Sequence, residues 1–575
     1  MKTSRILAAL LALTCAVQIR PFAAHAGIVE DCGETYYTFY DHEDFKVIYH
    51  SAQTDKSLNY FEISDLLVPE ESLTSVSLPD AIGDSPVAVI GGFCFGYCTE
   101  MTDVKLPASL EHINYKAFEH CTSLREVTLP DTVEYIGTGA FSWCDALEKA
   151  EFSDALLSLG EEAFAFCGSL KEATLPDGLQ TIGESAFLDC TSLQRINIPA
   201  SVTSIGTGCF LWCDSLEAID VDDANAHYCD IDGALYDKAL TTLFQYPAGG
   251  QYTRHIVPDG VTTINPSAFR ENGALKEIVI PDSVTSIGAY AFSYCEALET
   301  LHFPAGFNTI AIGMFKDCKS LTDTALPAGI TEIPQDYFSG CHSLPAMDIP
   351  DTVTTIGPSA FSDCQSLASA DLHEGIRYIG DNAFFNCNAL REITIPGSVE
   401  TIEKGAFSGS GLREITIEEG VTSLPENLFI NCYDVEYINI PSSVTSIGDQ
   451  ALYTGYDPIE VYFAGTEEEW NAITIGADNY NLDIGTVYFN STFHPGDLNS
   501  DSVADASDAA SILVSAAAAG SGQDSGLTDL QKKAADVNGD QVFDAADAAN
   551  ILQYAAAAGA GYQGTVRMFL EDAGI

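Results

Sequence analysis

Basic residues are scarce in this 575-residue chain: 24 Lys and Arg stand against 83 Asp and Glu, a formal charge of −59. That shortage excludes a phosphate-tracking surface, because nucleic-acid affinity needs clustered Lys and Arg. The surplus acid reads as a solvated, self-repelling surface or as cation binding. Catalytic signatures are missing too. No HExxH helix, GxSxG elbow or Gly-Lys phosphate loop occurs, and the eleven histidines fall in no such pattern. Acidic pairs are so common here that their spacing marks no glycosidase dyad. The chain is therefore expected to be no enzyme.

Long apolar runs are absent after the first 26 residues. There, Lys2 and Arg5 precede an apolar run from Ile6 to Val17, and Ala24-His25-Ala26 follows as a cleavage site. The run is too short for a bilayer and has the layout of a secretory signal peptide over 1–26. Leu13-Thr14 fits a lipid-attachment motif at Cys15 poorly, and no LPxTG-like sorting signal is present. The expectation is a secreted, extracellular chain, held in a cell-surface complex by noncovalent docking and without membrane insertion.

What the chain does have is a ladder of cysteines. Cys98, Cys121, Cys144, Cys167, Cys190 and Cys213 are spaced by 23 residues, and the step resumes through Cys295, Cys318, Cys341, Cys364 and Cys387. A fixed step of this size means one structural unit copied and stacked, a repeat solenoid. Units such as LREVTLPDTVEYIGTGAFSWCDA from Leu124 and LKEIVIPDSVTSIGAYAFSYCEA from Leu275 share Leu-x-x-Ile-x-Ile-Pro, Val-x-x-Ile-Gly and Ala-Phe-x-x-Cys. The alternating segment predicts a short half-buried strand, ended by the proline. Gly137, Gly183 and Gly288 are expected to make a tight turn before a short Ala-Phe segment.

Asn272 and Ser410 occupy the cysteine position in two units and fix the register. Secreted cysteines usually pair. Equivalent residues on adjacent turns, however, lie about 4.8 Å apart with parallel side chains, whereas a disulfide needs Cβ atoms about 3.8 Å apart and facing each other. The column is therefore expected to be buried free thiols acting as small core residues. Cys94 and Cys209 read as structural, and Cys32 and Cys229, outside the columns, are left open as a pair.

The Ile-Pro-x-x-Val-x-x-Ile-Gly-x-x-Ala-Phe-x-x-Cys pattern resembles the BspA-type leucine-rich repeats of bacterial surface proteins. The resemblance covers residues 73–489 and implies short parallel strands with turns and short helical segments. An atypical insertion spans about 216–260, with Asp232-Gly233-Ala234-Leu235-Tyr236 and Tyr246-Pro247. A terminal unit spans about 459–489, where Trp470 is expected to cap the open end; residues 27–72 would cap the other.

Two surface columns stand out. The outward strand position is small, polar and acidic, as at Thr128, Glu151, Thr174, Asp348 and Asp371. The place before each Cys is aromatic early, at Tyr97, His120, Trp143, Phe166 and Trp212, and turns to Asp317, Gly340, Asp363 and Asn386 later. That column reads as inter-turn packing or as an exposed ribbon for a protein or glycan partner.

After a linker at 490–496 the period stops. GDLNSDSVADASDAASIL from Gly496 and ADVNGDQVFDAADAANIL from Ala535 each place acids or amides at the first, third, fifth, ninth and twelfth places of a loop. That spacing wraps oxygens around Ca2+, with a carbonyl from the seventh place. The ligands are Asp497, Asn499, Asp501, Val503 (carbonyl), Asp505 and Asp508, then Asp536, Asn538, Asp540, Val542 (carbonyl), Asp544 and Asp547. Each loop leads into an Ala-rich helix ended by Gly520 or Gly559. The sixth place, usually Gly, holds Ser502 and Gln541, and the first loop, lacking a counterpart of Gly539, is expected to bind Ca2+ more weakly.

The pair of segments resembles a dockerin, a small all-α module over 497–575 folded around two Ca2+ ions. The resemblance implies a cohesin on a cellulosome scaffold as partner, contacted through the tenth and eleventh loop places: Ala506, Ser507, Ala545 and Ala546. Either segment could face the cohesin, since both read DAxDAAxIL. The resulting expectation is a noncatalytic repeat protein delivered to a scaffold by its dockerin, presenting a protein- or surface-binding face. The alternative is a carbohydrate-binding component acting through the aromatic column.

Overall fold

The computed structural model describes residues 25–31, 35–42, 45–52, 60–66 and 73–574, apart from 305, 324–325, 500, 502, 522 and 563. Most of the expected signal peptide, Cys32 and Ser502 lie outside the described residues. The chain forms two compact units, Met1–Ala305 and Gly306–Ile575. The first opens with four strands, His25–Asp31, Thr35–His42, Phe45–Ala52 and Tyr60–Leu66, paired antiparallel in that order. Tyr60–Leu66 then pairs in parallel with Ser85–Ile90, and from there the array repeats.

Most turns contribute two short strands. In the turn from Leu124 these are Glu126–Thr128 and Tyr135–Ile136, and both pair in parallel with residues 23 places on, Val127 with Ala150 and Ile136 with Leu159. Glu126–Thr128 runs exposed, buried, exposed, the mark of a strand with one face on the core. Pro130 then accepts the N–H of Val133 at 3.0 Å and turns the chain.

The expected tight turn forms at the recurrent glycine, as where Gly137 accepts from the Ala140 N–H at 3.2 Å, but without the left-handed backbone that glycine permits. Gly137, Gly183 and Gly288 do not adopt positive φ. A methyl group on Gly183 would instead sit 2.4 Å from the Gly160 carbonyl carbon and 2.5 Å from the Glu161 nitrogen. From this position Gly183 donates its N–H to Leu159 at 2.9 Å, and Gly206 donates to Ile182 at 2.9 Å. Glycine leaves room for this approach in most turns, while Asn114, Asn265 and Glu403 hold the same place elsewhere and donate to Ile90, Leu243 and Ile379 at 2.9, 3.0 and 2.8 Å. Proline here lacks the donor, and the ladder stops: Pro425 follows Ser423–Leu424, which lies in a different sheet from Thr401–Ile402. Pro334 likewise follows the first strand of a sheet, Glu332–Ile333.

The Ala-Phe-x-x-Cys segment is a run of turns. Two residues in it take the left-handed conformation, as at Gly139 (φ 62°) and Trp143 (φ 62°). Gly139, Phe141 and Trp143 each donate an N–H to the next turn at 2.8 Å. Inside, the phenylalanines stack, with Phe118 and Phe141 5.1 Å apart and 1° from parallel. The thiols are free and, in the column, buried. Cys144 Sγ donates to the Phe118 carbonyl at 3.3 Å, and Cys121, Cys167, Cys190, Cys213, Cys295, Cys341, Cys364 and Cys387 repeat the bond. Ser410 substitutes an Oγ bond of 2.8 Å to Phe384. Asn272 donates to Pro247 and Ala248 and accepts from Ala274 and Leu275.

The insertion is an antiparallel meander, Tyr228–Ile231, Ala234–Asp237 and Thr242–Gln245, whose last strand rejoins the parallel ladder at Thr263–Ile264. Buried Asn225 ties its entry to Pro199 and Val202. Cys229 carries a free thiol that donates to Asp237 at 3.4 Å.

In the second unit the only helices among the described residues of the array are α1 (Glu467–Trp470) and α2 (Tyr480–Ile484). Trp470 packs edge-on against Phe463 at 5.2 Å, and the strand Thr486–Phe489 follows, paired with Glu460–Phe463. Residues 490–496 are fastened rather than slack. Phe493, 1% exposed, lies 4.9 Å from both Tyr437 and Tyr462, and its backbone exchanges bonds of 2.8 and 3.0 Å with the Asn439 amide. Four helices complete the chain: α3 (Ala506–Gly520), α4 (Asp529–Ala535), α5 (Ala545–Ala558) and α6 (Val566–Ala573). They enclose their own core around Ile512, Val537, Ile551 and Leu570.

Candidate calcium loops and docking surface

The two C-terminal loops are built alike, 39 residues apart. Asp505 caps α3 and accepts from Ser507 N at 2.6 Å, and Asp544 caps α5 and accepts from Ala546 N at 2.6 Å. Three residues on, buried Asp508 accepts from Leu498 N (2.9 Å), Asn499 N (3.2 Å) and Asp505 N (3.0 Å). Asp547 does the same with Val537 (3.1 Å), Asn538 (3.3 Å) and Asp544 (2.8 Å). Each twelfth-place carboxylate thus ties the start of its loop to the first turn of its helix. Between them Asn499 and Asn538 accept from the N–H of Asp501 and Asp540, and Asp501 and Asp540 accept from Val503 and Val542.

In the first loop, oxygens of Asp497, Asp501 and Asp508 lie within 4.8 Å of one another. In the second, the buried Oδ1 of Asp536 has no hydrogen-bond partner. Burial raises the carboxyl pKa of Asp508 and Asp547, against the lowering effect of their backbone bonds. A hard cation with oxygen ligands relieves all three features, so the residues present fit Ca2+. Gln541 takes φ 68° and Gly539 φ 73°, the left-handed geometry such a loop requires. Among the described residues only the first loop draws three carboxylates together, although the second carries the additional glycine.

Ala506, Ser507, Ala545 and Ala546 are exposed on the first turns of α3 and α5. Further along the same helices Leu513, Val514 and Leu552 are exposed at 44%, 72% and 45%. Leu513 and Leu552 were readable as the Leu that ends each DAxDAAxIL segment, seven places beyond Ala506 and Ala545, and they lengthen the small-residue patches into strips.

The aromatic column in the first unit has a different character. Tyr97, His120, Trp143 and Phe166 form one continuous stack, with centroids 4.7, 5.3 and 3.9 Å apart and ring planes within 24°. Trp212 instead lies 5.5 Å from the Arg270 guanidinium, which also faces Tyr294 at 4.8 Å. Within the stack, faces that would meet a sugar ring meet each other. All five residues have positive φ, at a cost of about 1–2 kcal/mol each for a side chain with Cβ. Asp363, Asn386 and Gly340 hold the same place later with less strain.

Among the described residues no helix is long and apolar enough to cross a membrane. A model of the BspA type leucine rich repeat region matches residues 88–217, 250–368 and 331–459 in six copies, and a dockerin type I domain matches residues 495–554. Among solved structures, a leucine-rich repeat protein from Eubacterium ventriosum is 26% identical, covering 64% of this chain and 93% of its own, at a TM-score of 0.46. A leucine rich cell surface protein from Faecalibacterium prausnitzii is 25% identical, covering 78% and 98%, at 0.38. A leucine-rich repeat protein from Bacteroides ovatus is 22% identical, covering 77% and 98%, at 0.40. No curated protein matches the chain. With repeats over more than half its length and the twin loops at its end, the chain belongs to the BspA-type leucine-rich repeat family and carries a C-terminal dockerin type I domain.

Proposed function

We propose that the C-terminal module attaches this chain to a cohesin on an extracellular scaffold, and that the repeat array is a noncatalytic binding surface carried there. The observation that supports the reading is the twin geometry of residues 497–520 and 536–558. Two oxygen-rich loops with the same internal bonds each open a helix whose outer side is small and apolar.

Bound Ca2+ supplies charge neutralisation and a fixed loop conformation. Asp497, Asn499, Asp501, Asp505, Asp508 and the Val503 carbonyl would hold one ion. Asp536, Asn538, Asp540, Asp544, Asp547 and the Val542 carbonyl would hold the second. Asp508 and Asp547 fix where each helix points by tying it to its loop. Ala506, Ser507 and Leu513 on one helix, and Ala545, Ala546 and Leu552 on the other, then offer two similar strips, either of which can meet the cohesin.

The test is binding of the full-length chain to a panel of cohesins, with Ca2+ and after chelation by EDTA. Loss on chelation and recovery on adding Ca2+ is expected; a complex that survives EDTA overturns the reading. Leu513→Ala and Leu552→Ala should each weaken binding little and together strongly, because one strip replaces the other.

A further inference from the structure

The first residue of the longer strand in each turn forms a ladder whose charge differs between the two units. In the first unit it alternates, with Glu126, Lys149, Glu172 and Arg195 in register on successive strands. In the second it reads Glu392, Glu414, Tyr437 and Glu460, with no cation of its own. The missing cations come from the C-terminal helices. Residues 497–575 contain three basic side chains, Lys532, Lys533 and Arg567, and two of them reach this face. Arg567 bonds Glu436 at 2.9 Å, and Lys533 bonds Glu460 and, at 3.1 Å, the Tyr462 hydroxyl. Arg413 of the array pairs in return with Glu571.

Glu392 and Glu414 are the pair these cations serve least. They are register partners on adjacent parallel strands, so their side chains leave the sheet about 4.8 Å apart. Thr565, the N-cap of α6, donates its N–H to Glu392 at 3.2 Å. Glu414, 7% exposed, accepts from the Tyr437 hydroxyl at 2.8 Å and feels the charge of Arg567. The other ionisable groups that act on or border the pair are Tyr554 of α5, Tyr562 just before α6, and Glu436, Glu418, Glu419 and His494. Burial holds His494 toward its neutral form. Arg567 is therefore the one cation acting on buried Glu414, beside half-buried Glu392, and it is already bonded to Glu436. Two like charges this close and this dry do not both ionise cheaply. Burial, with the neighbouring Glu414 charge, pushes the Glu392 carboxyl up to about 7.

We propose that the dockerin is seated on the array by a proton-dependent latch, in which one proton held by the Glu392–Glu414 pair closes the contact and its loss loosens α6 from the strands beneath. Seating takes up a proton that a released, hydrated Glu392 would not bind, so it is favoured in acid and weakens as the pH rises through neutrality.

Amide exchange of residues 565–573 in the full-length, Ca2+-saturated chain, corrected for intrinsic rates, reads the seated fraction. Between about pH 5.5 and about pH 8 the opening equilibrium should rise roughly thirtyfold, while the cores of α3 and α5 stay protected. Glu392→Gln, which mimics the protonated carboxyl, should stay seated across the range and lose the pH dependence. Arg567→Gln should open the contact at both pH values and so verify that the measurement senses seating. A wild-type profile flat in pH, or a Glu392→Gln variant that titrates like wild type, overturns the latch.

Discussion

Replacing Gly183 by alanine should force adjacent turns of the array apart. The added methyl would lie 2.4 Å from the carbonyl carbon and 2.6 Å from the carbonyl oxygen of Gly160. Both are backbone atoms and cannot rotate aside, so the turn must move as a whole and stretch the 2.9 Å bond from Gly183 N–H to Leu159. Overpacking against fixed atoms costs about 1–3 kcal/mol, and each weakened backbone bond adds about 1 kcal/mol. The stiffer unfolded chain returns about 0.4–1 kcal/mol. The net loss is about 1–4 kcal/mol. Gly273→Ala is the control, because nothing lies within 4 Å of its methyl position, and it should be neutral or slightly stabilising. A repeat array need not unfold in one step, so the comparison is best read locally by amide exchange at residues 181–183 and 204–206. Exchange there should quicken roughly fivefold or more in Gly183→Ala and not in Gly273→Ala. Equal protection in the two variants would show that backbone approach does not set the glycine requirement.

The thiol column should resist alkylation in the native protein at about pH 8, since burial pushes Cys295 and Cys432 up to about 12, against about 8.5 for a free thiol. Denaturation without reductant should then label every column cysteine; persistent protection would mean disulfides. Cys229, only half-buried, should react first in the native state. His255, bonded to Tyr236 at 2.8 Å, is pushed down to about 4 by burial, so it stays neutral where an unfolded histidine would protonate. The stability this contributes is present above about pH 6.5 and lost on falling toward pH 4, by about 3 kcal/mol. A smaller acid slope in His255→Gln, measured by thermal unfolding across that range, checks it.

The period, the strand positions and the role of Asn272 and Ser410 were legible because each is a local substitution within a copied unit. The twin oxygen-rich loops were legible because residue type and spacing repeat together in both segments. Backbone conformation was not. Nothing in the pattern separates a glycine kept for positive φ from one kept for closeness, and Gly183 proves to be the second kind. The left-handed backbone at Trp143 was hidden for a related reason, since aromatic side chains do not advertise it as Asn386 and Gly340 do. Seating of the dockerin joins residues 392–460 to 533–571, a separation no period reports. Its trace in the sequence was a change of sign, from Glu126-Lys149-Glu172-Arg195 to Glu392-Glu414-Tyr437-Glu460.

The column thiols donate their hydrogen bonds to carbonyls of the preceding turn and need no second cysteine. Copy number is therefore free to change. Duplicating or deleting one 23-residue unit adds or removes a donor together with its acceptor and leaves no cysteine without a mate. Such an array can lengthen or shorten by recombination between its own repeats without re-pairing anything, and it can fold without waiting for an oxidant.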